Sequence, residues 1–453
     1  MTFPTSPKWP QEESPGQQRK AEIVGWPDPT RPLAPQAEPE PGLPPSGFWS
    51  RLRALGPGIV TGASDVDPSM VLTATVAGAA YGYSLLWVVP LCVPFLIEVF
   101  SATARIGHQS RRGLVNLLRR HYGYKLALAC AGIIIAINMA MIVADLLAVS
   151  DALSIILGQP RVFFVAAVAF SIWYILIFRD YLKITRALVW LSLPLFAYVV
   201  AAALAEPPPG QLLLHTLIPH ISHDPGYATA IVALFGSLLT PYVLVWQTGS
   251  RREQSLMGRH APQQSEHHTG TLVTSVLSYS VLIAAATVLN PNNRALPVSG
   301  VGQMSFHQAA LALSPLGKIG PILFAVGIIG AGMVALPVLV ASLCYAVAEA
   351  MGWKSGLSEH PWDAKRFYFL ISVVVFVAAA ANFFRINAVT ALYWSQILAG
   401  VLTVPILIFI LLLANNRSIM KVTNTRWQNF WIGAAVGALV AAGAVLLFWK
   451  MQA

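Results

Sequence analysis

From Phe48 onward the chain is a succession of apolar segments separated by short polar joints. Each is about 20 residues long, the length at which a helix crosses the hydrocarbon core of a bilayer. In lipid every backbone N–H and C=O must be satisfied within the segment, so a bundle of spanning helices is the fold that this spacing permits. About eleven spans are expected, near 52–80, 85–106, 126–150, 163–179, 185–205, 227–250, 270–289, 320–348, 367–384, 388–413 and 428–449. The composition agrees: 56% of residues are hydrophobic, 11% are charged and the mean hydropathy is +0.63, too little charge to cover a soluble surface.

Basic residues test the count. With the N-terminus inside, the internal loops carry Arg105 to Lys125 and then Arg179, Lys183 and Arg186; Arg251, Arg252 and Arg259; Lys354, Lys365 and Arg366; and Arg417, Lys421 and Arg426. The external side carries Arg161, Arg294, Lys318, Arg385 and Lys450. Such alternation is the positive-inside pattern. It explains the net charge of +10 by topology, and nucleic acid is excluded as a partner. Cys92, Cys130 and Cys344 fall in apolar runs and read as packing residues. Residues 1–46, rich in Pro, Glu, Gln and Ser, read as a disordered cytoplasmic tail without a signal-peptide pattern.

Chemistry concentrates in the first span, which runs Gly56-Pro57-Gly58 to Ser64-Asp65-Val66-Asp67-Pro68-Ser69-Met70. A carboxylate at membrane depth costs a few kcal/mol and is kept for a use. Pro68 removes a backbone donor and disfavours helical geometry at Asp67, so a broken helix with carbonyls facing a cavity is expected. The sixth span repeats the interruption at Gly236-Ser237-Leu238-Leu239-Thr240-Pro241-Tyr242. Breaks in spans one and six point to two inverted five-helix repeats, about 52–205 and 227–413, with a site at the midplane between them. The bland alternative at either break is an ordinary proline kink.

These residues carry a resemblance. Gly56-Pro57-Gly58, Asp67-Pro68, Ala77-Gly78-Ala79 and Tyr81-Gly82-Tyr83-Ser84-Leu85-Leu86-Trp87 are similar to the first helix of the NRAMP divalent-metal transporters, Arg105-Ile106-Gly107 to the end of their second, Asp145 to the aspartate of their third and Gln396 to a glutamine of their tenth. The resemblance implies a LeuT-type fold over residues 47–453, holding a metal between helices one and six. The departures are systematic. The family's Asp-Pro-Gly-Asn reads Asp67-Pro68-Ser69-Met70, its Met-Pro-His reads Thr240-Pro241-Tyr242, its carbonyl-donating alanine is Ser237, a second histidine aligns with Gln247 and a glutamate with Ala148. This resembles the branch of NRAMP-related magnesium transporters, apart from Met70, where that branch usually has glycine.

The substitutions also read physically. A thioether suits softer transition metals, whereas carboxylates, carbonyls, hydroxyls and water suit Mg²⁺, Ca²⁺ or Mn²⁺. The expected metal-site residues are Asp67, Ser69, Met70, Ser237 and Thr240, with Asp65, Glu98, Asp145, Tyr242, Gln247 and Gln396 along the path; Met70 either brings its sulfur to the site or packs away from it. Tyr242, Gln247 and Ala148 replace titratable groups, so weak or absent proton coupling is expected. A permease for a small organic solute is the alternative, but Asp67 would repel a substrate carboxylate. A membrane enzyme would need a constellation such as spaced intramembrane histidines, so no enzymatic role and no cofactor beyond the transported ion are expected. A monomer in the cytoplasmic membrane suffices.

Overall fold

The computed structural model describes residues 66–178, 193–222, 224–256, 264–290, 304–357, 360–384 and 386–452. The expected tail and Asp65 lie outside these residues. Within them the helices are α1 (Pro68–Tyr81), α2 (Val88–Ser110), α3 (Leu114–His121), α4 (Tyr124–Leu157), α5 (Val162–Phe178), α6 (Ala197–Leu204), α7 (Pro209–Leu217), α8 (Pro225–Leu238), α9 (Pro241–Leu256), α10 (Gln264–Leu289), α11 (Phe306–Ala310), α12 (Gly320–Met351), α13 (Lys365–Ala380), α14 (Ala388–Ala414) and α15 (Arg426–Gln452). No strand occurs among the described residues.

Local chemistry sets the boundaries. Asp67 caps α1, with Pro68 as its first residue and the Asp67 side chain accepting from the Met70 N–H. Asp224 and Pro225 start α8 in the same way, and Asn387 caps α14. A proline at the first helical position gives up no hydrogen bond, because that N–H has no partner inside the helix. Gly158 and Gly352 close α4 and α12 in the left-handed conformation.

Seven stretches among the described residues are long and apolar enough to cross a membrane: Val88–Ser110, Tyr124–Leu157, Pro225–Gly249, His268–Leu289, Phe306–Met351, Ala388–Ala414 and Arg426–Leu446. The other four expected spans meet shorter helices, α1, α5, α6 and α13; the first three adjoin undescribed residues. The 34 residues of α4 extend about 51 Å at 1.5 Å each, so this helix tilts or projects beyond the hydrocarbon. The architecture is an all-α, LeuT-type membrane bundle. In its interior α12 lies along α4, α1 along α10 and α8 along α14, and α1 also meets α4, α8 and α14.

Of the helices outside the expected spans, two pack against the bundle. α3 buries Leu114, Val115, Leu117 and Leu118, and its first turn is held from two sides. The Leu114 N–H donates to Thr248 on α9 and the Asn116 N–H to Glu349 on α12. The second is α7, between α6 and α8. Tyr83, buried, and Trp87, half-buried, tie the turn between α1 and α2 to its neighbours. The Tyr83 hydroxyl bonds Thr287, and the Trp87 indole donates to Tyr227.

Candidate metal site

Helix α8 stops at Leu238 and α9 starts at Pro241. Leu239, with φ −91° and ψ 58°, leaves the helix because Pro241 offers no N–H and excludes helical geometry at Thr240. The break sets the C-terminal carbonyls of α8, the negative end of its dipole, inside the bundle, which favours a cation there. The expected sixth-span interruption is therefore a true break. At the first span the described half begins in extended backbone at Asp67 (φ −105°, ψ 164°) and turns helical at Pro68.

Asp67 has no solvent exposure. One of its oxygens accepts from the Met70 N–H at 2.6 Å, the other from the Tyr242 hydroxyl at 3.1 Å. Two residues on, the Ser69 hydroxyl donates to Oδ1 of Asp145 at 2.6 Å. Asp145 projects from α4, fully buried, and its Oδ2 has no hydrogen-bond partner. The one ion pair among the described residues, Arg161–Asp151 at 3.6 Å, lies elsewhere. Two buried acids without a basic partner carry a desolvation cost, which a bound cation would offset.

The other expected site residues, Met70, Ser237, Thr240 and Gln396, are buried as well. Ser237 turns its hydroxyl onto the Leu234 carbonyl at 2.9 Å, and Thr240 is buried in the break. Met70 is buried in the apolar core. Gln396 on α14 is fully buried with neither amide atom hydrogen-bonded, which leaves both a donor and an acceptor for a ligand or its waters. Gly236 lets α8 approach the Gln396 backbone: a Cβ there would collide with the Gln396 carbonyl and stand 2.6 Å from the Gly400 nitrogen. Glu98 is half-buried on α2, and Gln247 on α9 accepts from Thr103 at 2.9 Å. The contacts that join Asp67, Ser69, Asp145 and Tyr242 do not run through these two.

Sequence reasoning missed Asn138. It lies two turns before Asp145 on the same face of α4, fully buried, and its amide donates to the Leu339 carbonyl at 3.2 Å and to Ser342 at 2.6 Å. Its signal was an amide seven residues from an aspartate in an otherwise apolar span.

Fold and site together define a membrane protein of the transporter type, with a buried acidic site at broken helices. Comparison with known proteins narrows this. The family described as Natural resistance-associated macrophage protein-like matches residues 58–450, and the chain belongs to that NRAMP family. A divalent metal cation transporter, MntH of Verminephrobacter eiseniae, is 24% identical over 404 residues, 87% of each chain. The metal transporter NRAT1 of rice is 23% identical over 63% of this chain, and the match spans 54% of the rice protein. Among solved structures, the Eremococcus coleocola manganese transporter superposes with a TM-score of 0.63 at 18% identity, covering 88% of this chain and 87% of its own. MhsT in complex with L-phenylalanine shares the fold more distantly, with a TM-score of 0.52 at 14% identity over 86% of this chain and 98% of that one.

Proposed function

We propose that the chain imports divalent metal ions that prefer oxygen ligands, Mg²⁺ and Mn²⁺ foremost, across the cytoplasmic membrane with its N-terminus inside. The observation that carries this is Asp67. It is an entirely buried carboxylate at a helix break, held by a backbone N–H and a phenol rather than by a base. Asp67 is assigned as the central ligand, helped by carbonyls at the end of α8. Ser69, Ser237, Thr240 and Gln396 bond the waters that the ion keeps. Mg²⁺ retains several waters and takes only one or two carboxylates. The burial of Met70 in the apolar core supports its packing role over a sulfur ligand. The metal-transporter names of the relatives agree with this reading.

The ion enters from outside, trades part of its water for Asp67 and leaves inward as one repeat rocks against the other. Protons take little or no part, because Tyr242 donates to Asp67 where the family has a histidine. Uptake of Mg²⁺, Mn²⁺, Ca²⁺ and Zn²⁺ into proteoliposomes, with internal pH followed, is the test. Mg²⁺ and Mn²⁺ should accumulate down their gradients without acidification, and Asp67→Ala should abolish accumulation. Absence of uptake of all four ions refutes the function, and a stoichiometric proton flux refutes the uncoupled mechanism.

A further inference from the structure

Of the three histidines between α6 and α8, His215 and His220 lie on a backbone tied down on both sides, and His223 lies outside the described residues. Thr216, next to His215 on α7, lies 2.6 Å from the Tyr279 hydroxyl of α10. Tyr227, in the first turn of α8, reaches with its hydroxyl the carbonyl of His220 and, at 2.8 Å, that of Ser84 in the turn between α1 and α2. Held in this way, the two imidazoles stand with ring centres 6.3 Å apart and planes at 86°. A zinc ion bonded to two imidazoles at about 2.0–2.1 Å each holds ring centres roughly 5–6 Å apart, so a small side-chain rotation closes the pair onto one ion. His215 is half-buried and His220 exposed, so solvent reaches both rings. Asp224, whose carboxylate accepts from the Tyr81 hydroxyl at 2.9 Å, adds negative charge to the same rim.

We propose that His215 and His220 form a second divalent-cation site, selective for nitrogen-preferring ions such as Zn²⁺, and that its occupancy slows transport. Imidazole pairs favour Zn²⁺, Cu²⁺ and Ni²⁺, whereas the interior site offers oxygen and suits Mg²⁺ and Mn²⁺. The rim therefore binds the ions for which the interior is not built. It also sits where binding matters. His220 is coupled through Tyr227 to α8, which leads to the Leu239–Thr240 break, and to Ser84 in the turn that follows α1. An ion bridging His215 to His220 fastens the end of α7 to the loop that Tyr227 holds against the Ser84 turn, on the face that the basic-residue pattern places outside.

Calorimetry with Zn²⁺ on the full chain in detergent tests the site independently of the transport reading. The His215→Gln, His220→Gln double variant should lose one bound Zn²⁺ relative to wild type, while Asp67→Asn keeps it. Each single variant should weaken that site by on the order of 10–100-fold, the loss that even an outer-shell change produces. External Zn²⁺ should inhibit Mn²⁺ uptake by wild type, and the double variant should need at least about tenfold more for the same inhibition. Unchanged Zn²⁺ stoichiometry in the double variant, or loss of this Zn²⁺ in Asp67→Asn alone, overturns the site. Equal inhibition of both proteins overturns the regulation. Should wild type take up no ion at all, the transport reading fails and calorimetry still decides the rim.

Discussion

Asp67→Asn separates a carboxylate kept for function from one kept for structure. Asparagine matches aspartate in shape. Its carbonyl can still accept from the Met70 N–H, and its amide replaces the oxygen 3.1 Å from the Tyr242 hydroxyl, which can turn its proton away and accept. The variant therefore keeps both contacts and sheds only the charge. An aspartate at the centre of a spanning helix costs about 2.5–3.5 kcal/mol on insertion scales. Removing the charge should return part of that, roughly 1–3 kcal/mol. Unfolding entropy of about 2.1 cal/mol/K per residue makes each kcal/mol worth about 1 °C in a chain of this length, so the midpoint should hold or rise by about 1–3 °C. Wild type should gain a further shift with metal: at 100 times Kd, linkage supplies about 2.7 kcal/mol, or about 3 °C, and the variant should gain none. Tryptophan fluorescence during heating, with and without Mg²⁺, reads the stabilities, and proteoliposome uptake reads the function. A variant that retains more than about a tenth of wild-type uptake, or that melts several degrees lower, would refute the reasoning by making Asp67 a structural group.

Four further outcomes follow from the same geometry. Ser69→Ala strips Asp145 of its hydroxyl donor and should cost about 1.5–3 kcal/mol, the worth of a hydrogen bond to a charged group, seen as a midpoint lower by about 1.5–3 °C. Gly236→Ala forces a Cβ against the backbone of α14; overpacking of about 1–3 kcal/mol should lower thermal stability and uptake together. Thr240→Met places a thioether in the break and should raise the Mn²⁺ to Mg²⁺ uptake ratio, and an unchanged ratio counts against the assignment of Thr240. Tyr242→Phe should lower net uptake about 10–100-fold, the rate equivalent of one hydrogen bond to a charged group, while metal-for-metal exchange measured with isotope continues. Equal loss of both fluxes would contradict the role given to the phenol.

The broken helices were legible because proline acts locally: Asp67-Pro68 and Thr240-Pro241 announce interruptions wherever they stand in a helix. The apolar runs announced the bundle for the same reason, since lipid constrains each segment separately. Contacts between distant segments were not legible. Ser69 and Asp145 are 76 residues apart, and Tyr242 and Asp67 are 175; nothing in local spacing registers such pairs. Tyr242 was noticed as the loss of a titratable group, yet what it adds, a donor to Asp67, appears only once α9 is laid against α1. The helices α3 and α7 escaped notice because eight or nine residues between spans are too few for a periodic pattern to stand out from a polar loop.

The interior arrangement bears on how a carrier without proton coupling returns empty. On the proposed cycle, Asp67 surrenders its ion inside and must then cross the occluded state with its charge uncompensated. In a proton-coupled carrier a titratable neighbour can relieve that charge. Here the relief is built from fixed dipoles. Asp67 caps the N-terminus of α1 and takes the Met70 N–H at 2.6 Å, where the helix dipole is positive, and the Tyr242 phenol adds a second donor. The phenol steadies the carboxylate by donating a hydrogen bond to it. These donors must not hold Asp67 so well that an ion gains nothing, and two donors to one carboxylate leave lone pairs for metal and water. The return step therefore depends on Tyr242 more than the loaded step does, because the loaded site has the ion's own charge. That asymmetry is why removing one hydroxyl should halt net movement and leave exchange running.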